Sequence, residues 1–280
     1  MNWKCFVLTT CIALAAGSCG RNKNAQNTVQ PMPPQQPVQA MQPGRPMNPN
    51  FAGPRRLPAT MDTSYRQAKV QQPFLAMTFD DGPHATNTPR LLDILRERNI
   101  RATFYVVGQN VKRYPDLLRR IVAEGHEIGN HTVSHANLTK VSDQRLRMEM
   151  GEVHNGVLAV TGVAPQTMRP PYGALRQEQR ALIRREFGYP TITWNVDPED
   201  WKRPGVGVVT KRLVEGARPG GILLAHDIHA PTIDAMPGTL DELLRRGFRF
   251  VTVSELINIE QSQAHAPAQV AAAQSPLSHP

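Results

Sequence analysis

Two adjacent carboxylates, Asp80 and Asp81, close the apolar run Phe74-Leu75-Ala76-Met77-Thr78-Phe79 and are followed by Gly82-Pro83. Successive side chains on a strand point to opposite sides, so one carboxylate can bind a metal while its neighbour faces a reacting centre. Read alone, the pair also fits an Asx turn at a strand end. His131 and His135 come next. Four residues apart, they fall on one face of a helical turn and can give two nitrogen ligands to one ion. Two histidines, one carboxylate and an open position make a catalytic zinc set, with Asp81 or Asp80 to supply the acid. Histidine pairs at this spacing also occur on solvent-facing helices.

Three further stretches carry reactive side chains: Arg169-Pro170-Pro171-Tyr172-Gly173, Asp197-Pro198-Glu199-Asp200-Trp201 and Leu224-Ala225-His226-Asp227. Each alone has a structural role open to it. The prolines could shape a loop, Trp201 could belong to the core, and His226 could be a buried, hydrogen-bonded histidine.

The elements that must position these groups alternate along the chain. Apolar runs predict strands at Phe74–Phe79, Ala102–Val107 and His126–Gly129, then near Gln166–Arg169, Thr191–Val196, Ile222–Ala225 and Phe248–Val251. Helical patterns begin near Thr88, with Pro89 in the first turn, and run over Pro115–Glu124, stopped by Gly125, and over Ser142–Val160. Others centre on Leu182, Leu213 and Leu243, and Thr252-Val253-Ser254-Glu255 has a capping-box pattern, with Ser254 an alternative cap. Strand–helix alternation predicts an α/β fold with a parallel sheet, doubly wound or closed into a barrel. The barrel is favoured because Asp80-Asp81, His131, Arg169, Asp197 and His226 all follow strand ends, and a ring brings five such ends to one face.

Taken together, in this order and at these intervals, the five motifs resemble the signature of the polysaccharide deacetylases, the carbohydrate esterases with a NodB homology domain. The resemblance spans about Phe74 to Leu256 and implies a distorted parallel (β/α) barrel, usually seven-stranded. It implies Asp81, His131 and His135 as metal ligands, Asp80 as general base, and Arg169 holding Asp80 by a charged hydrogen bond. It further implies that the Tyr172 backbone N–H steadies the oxyanion and that His226 protonates the leaving nitrogen. A cationic His226 needs a carboxylate beside it; Asp200 is the first choice and Asp197 the second. Trp201 and Leu224 would line the sugar groove with Tyr172. Asn195 stands where relatives often carry an acid, and Ala225 where bulkier residues are common; either could alter the groove. His84 and His229 read as loop residues rather than ligands, and His154 as solvent-facing or a satisfied packing residue.

The 280-residue chain has 40% apolar residues, enough for a sizeable core, and a formal charge of +9. That charge sits at the start: residues 1–73 hold Lys4, Arg21, Lys23, Arg45, Arg55, Arg56, Arg66 and Lys69 against one acid, Asp62. The remainder is nearly balanced and shows no nucleic-acid motif, so binding to nucleic acid is not expected. Cys5, Cys11 and Cys19 are the only cysteines. Lys4, the apolar stretch Phe6–Ala16 and Gly17-Ser18-Cys19 follow the order of an export signal, predicted over 1–18. The segment resembles a bacterial lipoprotein signal in which Cys19 is lipidated, although Ala16 stands where leucine is usual. Ordinary secretion is the alternative. No apolar run reaches the roughly 18 residues of a membrane-spanning helix.

Residues 19–70, rich in Pro, Gln and Asn, read as an extended tether, 71–260 as the catalytic domain and 261–280 as a low-complexity tail. The expected protein is an exported deacetylase of an N-acetylated glycan, with peptidoglycan the preferred substrate. It uses a divalent metal (zinc, or else cobalt or nickel), and no obligate protein partner is evident in the sequence. The rivals are an O-acetyl esterase on a xylan-like polymer and a catalytically silent glycan-binding lipoprotein.

Overall fold

Residues 64–273 are described by the structure, a computed structural model, with side chains described to residue 264. The predicted export signal, Cys19 and nearly all of the tether lie outside the described residues. The elements begin with β1 (Ser64–Tyr65), β2 (Phe74–Asp80), α1 (Asn87–Glu97), β3 (Thr103–Val106), α2 (Gly108–Arg113) and α3 (Pro115–Ala123). They continue with β4 (Glu127–Asn130), α4 (Asp143–Thr161), α5 (Gln177–Phe187) and β5 (Thr191–Ile192). The last are α6 (Val206–Gly216), β6 (Gly221–His226), α7 (Ala230–Arg245), β7 (Arg249–Phe250) and α8 (Val253–Ala273). Among the described residues no helix is long and apolar enough to cross a membrane.

Parallel ladders join β4, β3, β2 and β6 in that spatial order, and β7 pairs with the first two residues of β2. Single parallel bridges close the ring: Asn130 to Met168, Met168 to Thr191, and Val196 to Leu223. The result is a distorted parallel (β/α) barrel. Its strands are buried on both faces, which is why β2 reads as an unbroken apolar run.

Alternation along the strands sorts the residues into two layers. Leu75, Met77 and Phe79 of β2, Phe104 and Val106 of β3, and Leu223 and Ala225 of β6 pack outward in the main core with the helices. Ala76, Tyr105 and Ile222 belong to a separate inner cluster with Val253, Leu256 and Ile257 of α8. The inward series therefore ends, at the carboxyl ends of β2 and β6, on Asp80 and His226. Ala225 belongs to the outer layer, so its small size does not shape a groove on the inner side.

The start of α8 closes the amino-terminal end of the barrel. Thr252 and Glu255 form the predicted capping box: the Thr252 N–H donates to Glu255 Oε2 at 2.9 Å, and the Glu255 N–H to Thr252 Oγ1 at 3.3 Å. Buried Glu127 of β4 accepts the Ser254 N–H at 2.9 Å, a carboxylate set at a helix amino terminus where the dipole favours it.

Four sequence expectations need correction. The strand near Gln166–Arg169 shrinks to one bridging residue, Met168, because Pro165, Pro170 and Pro171 flank it and offer no N–H to a ladder. The strand over Thr191–Val196 ends at Ile192. Beyond it the Asn195 and Val196 N–H groups both turn to the Ile222 carbonyl, and Asn195 Oδ1 takes the Ile222 N–H at 2.8 Å. Ser64–Val70, assigned to the tether, are part of the folded body: β1 pairs with β5, and Tyr65, Ala68 and Val70 are buried in the inner cluster. The proposed tail from 261 continues α8 as far as Ala273.

Candidate active site

At the carboxyl end of β2, Asp80 and Asp81 diverge. Asp80 is the last strand residue and points inward. Asp81 takes φ 76°, a left-handed conformation that a short polar side chain tolerates, and so leaves the strand. Its N–H donates to the Tyr105 carbonyl at 3.2 Å and its carbonyl accepts Asn110 Nδ2 at 2.8 Å.

Arg169 governs the base candidate. Its Nη1 donates to Asp80 Oδ1 and to Thr78 Oγ1, both at 2.7 Å. The guanidinium lies 4.2 Å from the Tyr105 ring centroid and 5.5 Å from that of Trp194, aromatic faces that suit a buried cation. The Arg169 carbonyl accepts a hydrogen bond from His131 Nδ1 at 2.7 Å. With Nδ1 the donor, His131 Nε2 carries the lone pair.

His131 and His135 do not share a helical turn. They lie on a loop after β4 in which Thr132 and His135 take φ 69° and 56°. Their rings nonetheless sit 5.0 Å apart. The loop is shaped by two buried residues. Asn130 Oδ1 accepts the Thr132 N–H at 3.0 Å. Glu149 of α4 accepts the Val133 and Ser134 N–H groups at 2.8 and 2.9 Å and the Ser134 hydroxyl at 2.6 Å. Burial alone would raise the Glu149 pKa, but these bonds and Arg145 hold it below the usual range, so it stays a carboxylate.

Asp81 Oδ1 lies 3.5 Å from His131 Nε2 and 3.4 Å from His135 Nε2. These three side chains can each offer one ligand atom to a common metal ion. The donor set fits: Asp81 Oδ1 is buried and accepts no hydrogen bond, and both Nε2 atoms face it. Burial and the neighbouring His131 keep the His135 pKa below its ordinary value, which favours the neutral, ligating form. Asp80 Oδ2 stands 3.7 Å from His131 Nε2, while its other oxygen is held by Arg169.

Across the barrel mouth, His226 Nδ1 bonds Asp200 Oδ1 at 2.8 Å. Burial opposes charging of this imidazole. The hydrogen bond and charge of Asp200, with the charges of Asp80 and Asp81, push its pKa up to about 9. Asp197, the second choice for this partner, is turned away: it accepts Trp194 Nε1 at 3.1 Å and the Glu199 N–H at 2.8 Å. The Pro198 corner separates the two acids, and only Asp200, on the 3-10 turn Asp200–Lys202, faces β6.

Tyr172 takes φ 61° in the turn Pro171–Gly173, which is closed by the Gly173 and Ala174 N–H groups. The Tyr172 N–H stands outside those bonds. The residue is 68% exposed, and its ring meets that of His135 edge-on with centroids 4.8 Å apart. Trp201 is 52% exposed under Lys202, whose Nζ is 4.9 Å from the ring centroid. Leu224, one inward position before His226, is only 3% exposed and presents little surface to a groove. His84 caps α1, its Nδ1 accepting the Asn87 N–H at 3.2 Å, and His154 bonds the Tyr189 hydroxyl. His229 precedes α7 with its ring 6.0 Å from that of His226.

Thr78, Asn110, Glu149 and Trp194 also build this site and were not singled out from the sequence. Glu149 did leave a signal: with Leu146, Met150 and Val153 it falls on the apolar stripe of α4, where an unpaired charge is costly.

The polysaccharide deacetylase family model matches residues 67–192. A peptidoglycan-N-acetylglucosamine deacetylase of Bacillus cereus is 39% identical over 190 residues, covering 65% of this chain and 87% of that protein. The chain belongs to the polysaccharide deacetylase family. The peptidoglycan-N-acetylglucosamine deacetylase PgdA of Listeria monocytogenes is 43% identical over 182 residues, and this chain spans 38% of its length. Among solved structures of the family, the peptidoglycan deacetylase PdaC from Bacillus subtilis superposes with a TM-score of 0.67 at 33% identity, over 71% of this chain and 97% of that one.

Proposed function

We propose that this chain is a metal-dependent hydrolase that removes N-acetyl groups from a glycan, with peptidoglycan N-acetylglucosamine as substrate. One observation carries the reading. Of two adjacent carboxylates, Asp81 faces the histidine pair with an unbonded oxygen, while Asp80 is held by Arg169 and kept available as a base. Asp81, His131 and His135 would hold a divalent cation, whose positive charge would polarise an acyl carbonyl and acidify water. Zinc suits two imidazoles and one carboxylate, and cobalt or nickel fits the same donors.

The chain's own groups supply the remaining steps. Asp80 takes the proton from the attacking water. The Tyr172 N–H donates to the oxygen that becomes anionic as water adds to the acetamide carbonyl. His226, charged through Asp200, gives its proton to the departing amine. Tyr172 and Trp201 offer exposed aromatic faces to the sugar rings. An export signal over 1–18 and lipidation of Cys19 would hold the domain at a bacterial envelope, within reach of its polymer. The names of the relatives support the choice of peptidoglycan.

Acetate release from peptidoglycan, chitin oligomers, poly-N-acetylglucosamine and acetyl-xylan tests the reading. Peptidoglycan is the expected substrate, and turnover of acetyl-xylan alone would overturn the assignment.

A further inference from the structure

Asp227 follows His226 yet takes no part in the chemistry above. Its side chain is fully buried, and Oδ1 has no hydrogen-bond partner among the described residues. Oδ2 accepts the Thr88 hydroxyl, which in turn accepts the His84 N–H at 2.7 Å. The same carboxyl lies against the backbone of Gly82. A Cβ built on Gly82 would come within 2.6 Å of Asp227 Cγ, and nearer still to both oxygens. Gly82 is not among the glycines with positive φ. The carboxyl, not a backbone angle, is what demands glycine there.

The other side of the same turn is fixed by β3 and α2. Besides the bonds that Tyr105 and Asn110 make to Asp81, the Val107 N–H donates to the Gly82 carbonyl at 3.1 Å. The Asp80–Gly82 turn is therefore clasped between that set and the Asp227 carboxyl. Burial pushes the Asp227 pKa up to about 7. A carboxyl with an unpartnered oxygen is a costly way to fill a space that a leucine would fill more cheaply.

We propose that Asp227 is a positioning residue: anchored by Thr88 and packed on Gly82, its carboxyl sets the turn that presents Asp81 to the histidine pair and Asp80 to Arg169. The inference rests on the metal-centre reading and names what fixes the carboxylate ligand. It makes the end of β6 responsible for the proton donor and for the alignment of the ligand turn on β2.

The test is zinc affinity of the full chain, measured by calorimetric titration after chelation, with thermal melting of the apoprotein in parallel. Asp227→Asn keeps the size and an acceptor for Thr88 and is expected to bind zinc within about three-fold of wild type, whereas Asp227→Leu is expected to lose about ten-fold, as when groups that orient a ligand are removed. Gly82→Ala drives a methyl into the carboxyl and should lose more, about a hundred-fold, and adding Asp227→Ala should recover part of that loss because the methyl gains the vacated space. Leucine binding zinc like wild type overturns the positioning role, as do losses for Gly82→Ala and Asp227→Ala that simply add. A wild-type protein that binds no zinc overturns the metal-centre reading, and the positioning role with it.

Discussion

The Asp200 carboxylate holds His226 twice, taking the imidazole at Nδ1 through Oδ1 and the His226 backbone N–H through Oδ2, each at 2.8 Å. The second oxygen also accepts the Thr232 hydroxyl at 2.8 Å, so the acid is fixed before it meets the ring. This clamp aims Nε2 into the barrel mouth and keeps the ring charged at neutral pH.

The clamp predicts a pH signature. Because Asp200 leads the influences that raise the His226 pKa, the alkaline limb of amide turnover should lie above the ordinary histidine range. In Asp200→Asn burial still lowers the pKa, and only the charges of Asp80 and Asp81 are left to oppose it. The limb should then move to lower pH, and kcat at pH 7 should fall about a hundred-fold. A pH–kcat profile of both proteins checks this; an unmoved limb would exclude His226 as the proton donor.

The Arg169–Asp80 pair is buried, with 0% and 4% of the two side chains exposed. Arg169→Met leaves an uncompensated buried carboxylate and should cost about 3–5 kcal/mol of stability. Adding Asp80→Asn should return most of it. Urea unfolding of the two single variants and the double variant measures the coupling, and additive losses would argue against a direct pair.

Glu149 shapes the loop that carries the histidines of the proposed metal site. In Glu149→Gln the amide oxygen can keep the Val133 and Ser134 N–H groups, which share one carboxylate oxygen, but the N–H₂ then faces the Arg145 guanidinium donors, at a cost of about 1–3 kcal/mol for the bonds lost. Melting of the metal-free protein should fall accordingly, and zinc affinity should drop about ten-fold. Unchanged melting would show that the loop does not depend on this acid.

Tyr172 and Trp201 are exposed and anchor no core, so their alanine variants should melt like wild type. If they stack on sugar rings, KM on polymeric glycan should rise several-fold while turnover of a monosaccharide acetamide changes little. Equal effects on both substrates would remove them from the groove.

Much of this site could be read from the sequence because strand ends announce themselves. The apolar runs of β2 and β6 stop where side chains turn polar, and Asp80, Asp81 and His226 stand at those stops. What could not be read depended on tertiary partners. A spacing of four suggested a helical turn for His131 and His135, yet the left-handed Thr132 and His135 are held in place by Glu149, which arrives from α4. The sequence ranks Asp200 ahead of Asp197 as the partner of His226, and the Pro198 corner, which turns only Asp200 to β6, gives the physical reason. The run near Met168 had strand composition, but its flanking prolines left a single bridge. Ser64–Val70 looked like tether because its few apolar residues bury against β5, β6 and α8, which come much later in the chain.

The proposed chemistry divides the labour between two neighbouring acids, with Asp81 as ligand and Asp80 as base. Zinc titration of the chelated full chain carrying Asp80→Asn or Asp81→Asn tests that division most directly. The expected result is wild-type stoichiometry and near wild-type affinity for Asp80→Asn, with acetate release down about a thousand-fold, and affinity lost about a hundred-fold or more for Asp81→Asn. Zinc binding that survives the loss of Asp81 but fails with the loss of Asp80 would contradict it.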